Sequence, residues 1–92
     1  MIVEKVITIK NKQGLHARPA ALFVQIANKF SSEITIAKGR QKVNGKSIMG
    51  IMMLAAGLGS KVTVIANGDD ADKVMVELEK LLLADDIDEF VI

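Results

Sequence analysis

The spacing of hydrophobic residues switches repeatedly between a period of two and a period of three to four, and this alternation constrains the fold more than any other feature. It predicts, in chain order, a strand at 3–10, a helix at 17–30, strands at 33–38 and 41–44, a short helix at 47–54, a strand at 61–66 and a helix with its apolar stripe over 71–82. The order β-α-β-β-α-β-α, with a hairpin between the second and third strands, indicates an α+β fold with helices on one face of an antiparallel sheet.

The apolar positions predict the core. Val3, Ile7 and Ile9 share one face of the first strand, and Ile34 and Ile36 point inward from the second. The two longer helices carry apolar stripes with helical spacing. These stripes comprise Ala20, Phe23, Val24, Ala27 and Phe30 in the first helix, and Ala71, Val74, Met75, Leu78, Leu81 and Leu82 in the last.

Turn and capping residues predict where the helices begin and end. Ser47 is expected to be the N-cap of the short helix, because a serine hydroxyl can accept a hydrogen bond from a first-turn N–H group. Gly57 and Gly59 are expected to end that helix. The Asn-Gly-Asp-Asp segment at 67–70 is expected to form a turn and cap the last helix. The segment 84–92 mixes acidic and apolar residues, and its sequence fits both a docked and a frayed tail.

Composition excludes several classes of protein. A chain of 92 residues is expected to form one domain over 1–92 with its own core. The absence of cysteine and the single histidine exclude a disulfide framework and the usual zinc sites, so neither a metal nor another cofactor is expected. No segment is apolar enough to cross a bilayer or to serve as a signal peptide, which indicates a soluble cytoplasmic protein.

Charge is distributed unevenly although the net charge is only +1. Residues 1–61 hold ten Lys and Arg against two Asp and Glu, whereas residues 62–92 hold two against nine. A basic half can attract phosphate groups or an acidic partner surface. Alternatively, the opposite charges only help the two halves to pack. Nucleic acid is disfavoured, because no aromatic side chains are interleaved with the lysines.

The residues that could carry chemistry lie in the segment Gly-Leu-His-Ala-Arg-Pro-Ala at 14–20. His16, the only histidine, falls at the start of the first helix. The backbone N–H groups of Ala17 and Arg18 lack helical partners there, and together with the helix dipole they favour an anion. The Arg18 guanidinium adds donors that suit phosphate. An imidazole in this place can accept a phosphoryl group; the alternative is a solvent-facing histidine without a chemical role.

Hydrolytic catalysis at His16 is not expected. No Asp or Glu lies between Glu4 and Glu33, so the local segment offers no carboxylate to orient the imidazole, although a distant one could fold nearby. The serines also lack the glycine-flanked pattern of a nucleophile elbow.

Segment 14–20 and the segment Asn-Gly-Lys-Ser-Ile-Met-Gly-Ile-Met at 44–52 together resemble the HPr family, the histidine-containing phosphocarriers of the bacterial sugar phosphotransferase system. The resemblance covers nearly the whole chain. It implies an open-faced β-sandwich with a four-stranded antiparallel sheet and three helices on one face. It also implies that the protein is not an enzyme but a substrate of phosphotransferases and kinases.

The resemblance implies a role for each matching residue. His16 would accept a phosphoryl group at its pros nitrogen from phosphorylated enzyme I, charged by phosphoenolpyruvate, and donate it to the IIA domains of sugar permeases. Arg18 would contact the phosphohistidine. Ser47 matches the serine that HPr kinase/phosphorylase modifies in Gram-positive members, giving a form that binds catabolite control protein A. The presence of His16 argues against the catabolite-repression paralogue, which lacks that histidine.

The apolar residues after Ser47 are expected to serve as a docking surface made by Ile48, Met49, Ile51 and Met52, with Ile48 and Met52 outward and Ile51 inward. The alternative is that Ser47 only caps the helix and that its neighbours are core. Two other functions remain open: a regulatory binding module based on Ser47, and a relay in a nitrogen-related or dihydroxyacetone-kinase phosphotransfer chain. A monomer without direct nucleic-acid or membrane binding is expected.

Overall fold

The computed structural model describes residues 1–86, which form four strands and three helices. In chain order these are β1 (Ile2–Thr8), α1 (Ala17–Ala27), β2 (Glu33–Lys38), β3 (Gln41–Asn44), α2 (Ile48–Met53), β4 (Lys61–Asn67) and α3 (Ala71–Leu83). The predicted order and the α+β fold class are confirmed.

The strands form one antiparallel sheet in the order β1-β4-β2-β3. The predicted hairpin is present, with Lys38 paired to Gln41 across the turn. The helices cover one face of this sheet: α3 packs on β1 and β4, and α1 contacts both other helices. On the opposite face Ile2 and Val6 remain exposed. The sheet is therefore open on one side.

The core lies between the sheet and the helices. Ile7, Ile34 and Ile36 in the strands, and Ile9 just after β1, are buried, as predicted. All six residues of the predicted α3 stripe are also buried, while the predicted inward residues Val3 and Phe30 are only partly buried against this core. The period-two and helical patterns thus identify most of the interior correctly.

Two element ends differ from the prediction. Helix α1 ends at Ala27 instead of residue 30, because the N–H groups of Lys29 and Phe30 bond to carbonyls three residues back and tighten the chain into a turn. Strand β1 ends at Thr8 instead of residue 10. The Lys10 N–H leaves the sheet there and donates to the carbonyl of Leu82 on α3.

The predicted end of the short helix is also wrong. Helix α2 ends at Met53, with Leu54 as its C-cap, several residues before Gly57 and Gly59. Ala55, at φ +50°, makes the left-handed turn that the glycines were expected to make. Gly59, at φ +86°, instead shapes the entry to β4 and donates its N–H to the Ile9 carbonyl.

The sequence predicted that segment 67–70 caps α3. Asp70 occupies the N-cap position, but its carboxylate makes no hydrogen bond to the helix. It accepts hydrogen bonds from the backbone N–H groups of Ser31 (2.9 Å) and Ser32 (3.0 Å) and from both serine hydroxyls. The side chain therefore joins the start of α3 to the turn before β2. The Ser32 hydroxyl, followed by the Ser31 N–H, lowers the pKa of Asp70 from 3.8 to about 2.

Within residues 1–86 no helix is long and apolar enough to span a bilayer. The segment 84–92, to which the sequence assigned no structure, lies outside the described residues from position 87 onward.

Candidate functional site

His16 occupies the N-cap position of α1, where the predicted loop–helix junction falls. Its backbone is extended (φ −84°, ψ −165°), and its carbonyl accepts the Ala20 N–H at 2.8 Å. The imidazole does not cap the helix, and the residue is exposed. The ring therefore reaches solvent at the positive end of the helix dipole, where a reaction partner can approach it.

The loop before His16 is held against the segment that follows α2. The Leu15 N–H donates to the Ala56 carbonyl at 2.8 Å, and the Leu15 side chain is buried. Gly14 has φ +62°, and a Cβ on it would lie 2.7 Å from both the Ala56 oxygen and the Gly57 Cα. Only glycine suits this close approach. Nothing local in the sequence pointed to Ala56, because it is far from His16 along the chain.

The first turn of α1 is the place where the sequence predicts an anion site. Ala17 and Arg18 are the first two residues of α1, and their backbone N–H groups belong to the start of the helix. The turn contains no acidic residue, so no carboxylate within it opposes an anion. Arg18 is exposed, and Pro19 is buried at the third helical position. His16, Ala17 and Arg18 thus lie together at one helix end, as the motif predicted.

Basic residues from the sheet lie at the same end of the molecule. Lys61 pairs with Thr8, where β1 leads into the His16 loop. Lys38, at the adjacent end of β2, donates from Nζ to the Ala55 carbonyl at 3.2 Å, beside the Ala56 carbonyl that holds the loop. Two of the positive charges of residues 1–61 therefore lie at the His16 end of the sheet, where they favour phosphate or an acidic surface.

Distant carboxylates also reach the loop before His16. Asp85 and Asp86, just after α3, line a cavity of about 310 Å³ together with Lys12 and Gln13. The sequence around His16 contains no carboxylate. Asp85 and Asp86 come close to the loop before His16 only because the chain folds.

Ser47 is the N-cap of α2, as predicted, and its Oγ accepts the Gly50 N–H at 3.1 Å. The preceding residue links this helix start to the end of β3 and to the turn after α1. The Lys46 N–H donates to Asn44 Oδ1 at 2.8 Å, and Lys46 Nζ donates to the Phe30 carbonyl at 2.9 Å. Ser47 is therefore partly exposed on a short helix that packs against α1.

The apolar surface of α2 differs from the predicted docking set at one position. Ile48, Met49 and Met52 are 43%, 75% and 42% exposed, as the docking surface requires. Ile51 is fully buried, as its predicted inward orientation requires, and so cannot contact a partner; its inclusion in the docking set was wrong. Met53, which the sequence did not single out, is 66% exposed. We call Ile48, Met49, Met52 and Met53 the α2 patch.

Comparison with known proteins identifies the family. A family model described as the PTS HPr component phosphorylation site matches residues 3–84. The chain belongs to the HPr family. The HPr-like protein Crh of Halalkalibacterium halodurans is 57% identical over 77 residues, which cover 84% of this chain and 92% of that protein. The phosphocarrier protein HPr of Treponema pallidum is 42% identical over 80 residues, or 87% and 91% of the two chains.

A solved structure agrees with this assignment. The crystal structure of HPr from Bacillus anthracis matches with a TM-score of 0.85 and 48% identity, over 88% of this chain and 96% of that one. The predicted HPr resemblance and fold are confirmed, and HPr membership supports a general phosphocarrier role in the phosphotransferase system. The individual roles of His16, Arg18 and Ser47 stay predictions.

Proposed function

We propose that this HPr-family protein carries a phosphoryl group on His16, which it receives from phosphorylated enzyme I and donates to the IIA domains of sugar permeases. The observation that supports this most is the placement of an exposed imidazole at the N-terminus of α1, beside the N–H groups of Ala17 and Arg18. In this role the protein is a substrate of phosphotransferases and not a catalyst.

The transfer is an exchange of one P–N bond for another. The pros nitrogen of His16 attacks the phosphorus of the donor phosphohistidine, a P–N bond forms on His16, and the donor P–N bond breaks. The His16 proton passes to the departing imidazole or to solvent. The first-turn N–H groups, the helix dipole and the Arg18 guanidinium stabilise the transferred anion. At an exposed helix end the dipole contributes only about 0.3–1 kcal/mol, which permits onward transfer.

Incubation with phosphoenolpyruvate and enzyme I, followed by intact-mass measurement, tests the proposal. We expect a gain of one phosphate that acid removes, because a phosphoramidate P–N bond is acid-labile. His16→Ala should abolish the gain while leaving the fold intact, since the exposed ring makes no capping bond.

Arg18→Ala provides a second variant at the same helix end, and it should slow the transfer without preventing it. Undiminished acid-labile phosphate on His16→Ala would contradict the assignment of the acceptor. Failure of the wild-type protein with its cognate enzyme I would contradict the carrier function.

Ser47 supports a second, regulatory function beside the carrier role. We propose that HPr kinase/phosphorylase modifies Ser47 and that the phosphorylated form binds catabolite control protein A. The observation that favours it is the partly exposed Ser47 next to the exposed α2 patch. A phosphate there adds about −1.5 to −2 charges at the positive end of α2, where the helix tolerates them.

Treatment with the kinase and ATP distinguishes the regulatory role from the carrier role. We expect an acid-stable phosphate that is absent from Ser47→Ala and present on His16→Ala. A protein that accepts only this phosphate would be a regulatory module alone. If enzyme I of a nitrogen-related system, or the dihydroxyacetone-kinase relay, charges His16 faster than the sugar-system enzyme I, the donor assigned above is wrong.

A further inference from the structure

Asn11 is a polar residue in the interior of the protein, five positions before His16. Only 2% of its surface is exposed, and within residues 1–86 its Nδ2 group has no hydrogen-bond partner. Burying an amide donor without a partner lowers stability, whereas an apolar side chain of similar size would avoid that cost. An unsatisfied buried group of this kind calls for an explanation beyond packing.

The side-chain and backbone oxygens of Asn11 each accept a hydrogen bond, in contrast to its Nδ2 group, which is unpartnered among the described residues. Oδ1 accepts the Gln13 N–H at 2.9 Å, and the Asn11 carbonyl accepts the Gly14 N–H at 3.1 Å. Side chain and backbone of one residue therefore build the turn 11–14. The turn ends at Gly14, which has a left-handed backbone conformation, and the chain continues from there to His16.

Both sides of this turn are held by distant parts of the chain. Before it, the Lys10 N–H donates to the Leu82 carbonyl at 2.9 Å, and after it the Leu15 N–H donates to the Ala56 carbonyl at 2.8 Å. Between these two points the Gln13 N–H donates to Asn11 Oδ1, and this bond fixes the backbone conformation of the turn. The turn 11–14 therefore lies on the path by which the chain reaches Leu15 and His16.

We propose that Asn11 is a positioning residue for His16, retained at a cost in stability because its Oδ1 sets the turn that aims the imidazole. This inference rests on the proposed carrier function of His16. In this proposal the Oδ1 atom positions His16, and the Nδ2 group has no part in that positioning. Because Asn11 is buried, it does not touch the phosphoryl donor, and its effect reaches the reaction only through the loop.

Asn11→Leu and Asn11→Asp separate the acceptor from the rest of the side chain. Leucine has a similar size but no acceptor; aspartate keeps an oxygen at the Oδ1 position. We expect Asn11→Leu to lower kcat for phosphorylation by enzyme I about tenfold with KM nearly unchanged, because misplacement of a reacting group affects the chemical step. Its midpoint of urea unfolding should equal or exceed that of the wild type.

Asn11→Asp should keep kcat within about threefold of the wild type. Because a buried carboxyl can destabilise the fold, Asn11→Ser serves as a second acceptor-bearing variant, and it should recover more of kcat than Asn11→Leu does. Wild-type kcat in a folded Asn11→Leu would overturn the inference, as would equal losses in the leucine and serine variants.

Amide hydrogen exchange and the NMR shifts of the His16 ring protons test the positioning without phosphoryl transfer. We expect faster exchange at Gln13 and Gly14 and displaced His16 ring signals in Asn11→Leu, and neither change in the serine variant. If the wild type takes no phosphate, the proposed function fails, and these spectra still decide whether Asn11 positions His16. Unchanged spectra in Asn11→Leu would overturn that assignment.

Discussion

Gly14 and Gly39 show that the cost of replacing a glycine depends on the atoms around it. Both have positive φ, at +62° and +60°. A Cβ on Gly14 would meet the backbone of Ala56 and Gly57 at 2.7 Å, whereas a Cβ on Gly39 would have nothing within 4 Å. The two positions share a conformational cost and differ in the steric one, which makes them a matched pair.

Gly39→Ala should lower the free energy of unfolding by about 1–2 kcal/mol, the cost of a left-handed non-glycine residue. Gly14→Ala should cost more, about 2–4 kcal/mol, because the backbone that the new Cβ meets cannot move aside cheaply. Urea unfolding of both variants measures the difference. Equal losses would show that the contact of the His16 loop with Ala56 is looser than the distances indicate.

Helix α2 is the shortest helix within residues 1–86, and its start is capped by the Ser47 side chain. It spans only Ile48–Met53, and within it only Ile51 is buried. A helix this short is not stable by itself in water, so its start must be held by capping and by tertiary contacts. The Ser47 hydroxyl supplies the cap, and phosphorylation would act on the same oxygen.

Ser47→Ala should lower the free energy of unfolding by about 0.5–2 kcal/mol, because the Gly50 N–H loses its acceptor. Ser60→Ala is the control, since Ser60 is also partly exposed and its hydroxyl has no hydrogen bond within residues 1–86. Chemical denaturation of the two variants gives the comparison. If Ser60→Ala is destabilised as much as Ser47→Ala, the cap does not stabilise α2.

At the scale of the whole molecule, Asp70 joins the end of the sheet opposite His16 to the start of α3. Its carboxylate holds the N–H groups and hydroxyls of Ser31 and Ser32. A Cβ on Gly68 would meet the Ser32 side chain and backbone at 2.5–3.0 Å, so the two turns are in close contact there. This junction connects β2, β4 and α3.

The junction predicts a particular loss of stability in acid. Because hydrogen bonds depress the pKa of Asp70 from 3.8 to about 2 in the folded state, its contribution is complete above about pH 5 and declines as the pH falls toward 2. We expect wild type and Asp70→Asn to differ in unfolding free energy at neutral pH and to converge between about pH 4 and pH 2. A difference that does not change with pH would contradict this role of the carboxylate.

The sequence by itself determined the elements, the hairpin, the Ser47 cap and the place of His16 and Arg18 at a helix start. These features depend on residues a few positions apart, because side-chain periodicity, turns and first-turn capping are local interactions. The HPr resemblance rested on two such local segments. It was confirmed over residues 3–84.

Only the tertiary structure decided which distant groups complete those features. Ala56 holds the His16 loop, Asp70 bonds to Ser31 and Ser32 instead of its own helix, and Asp85 and Asp86 reach the loop at Lys12. Each of these contacts joins residues far apart in the chain. No local period or motif encodes such a pairing, because it depends on how the completed elements pack against one another.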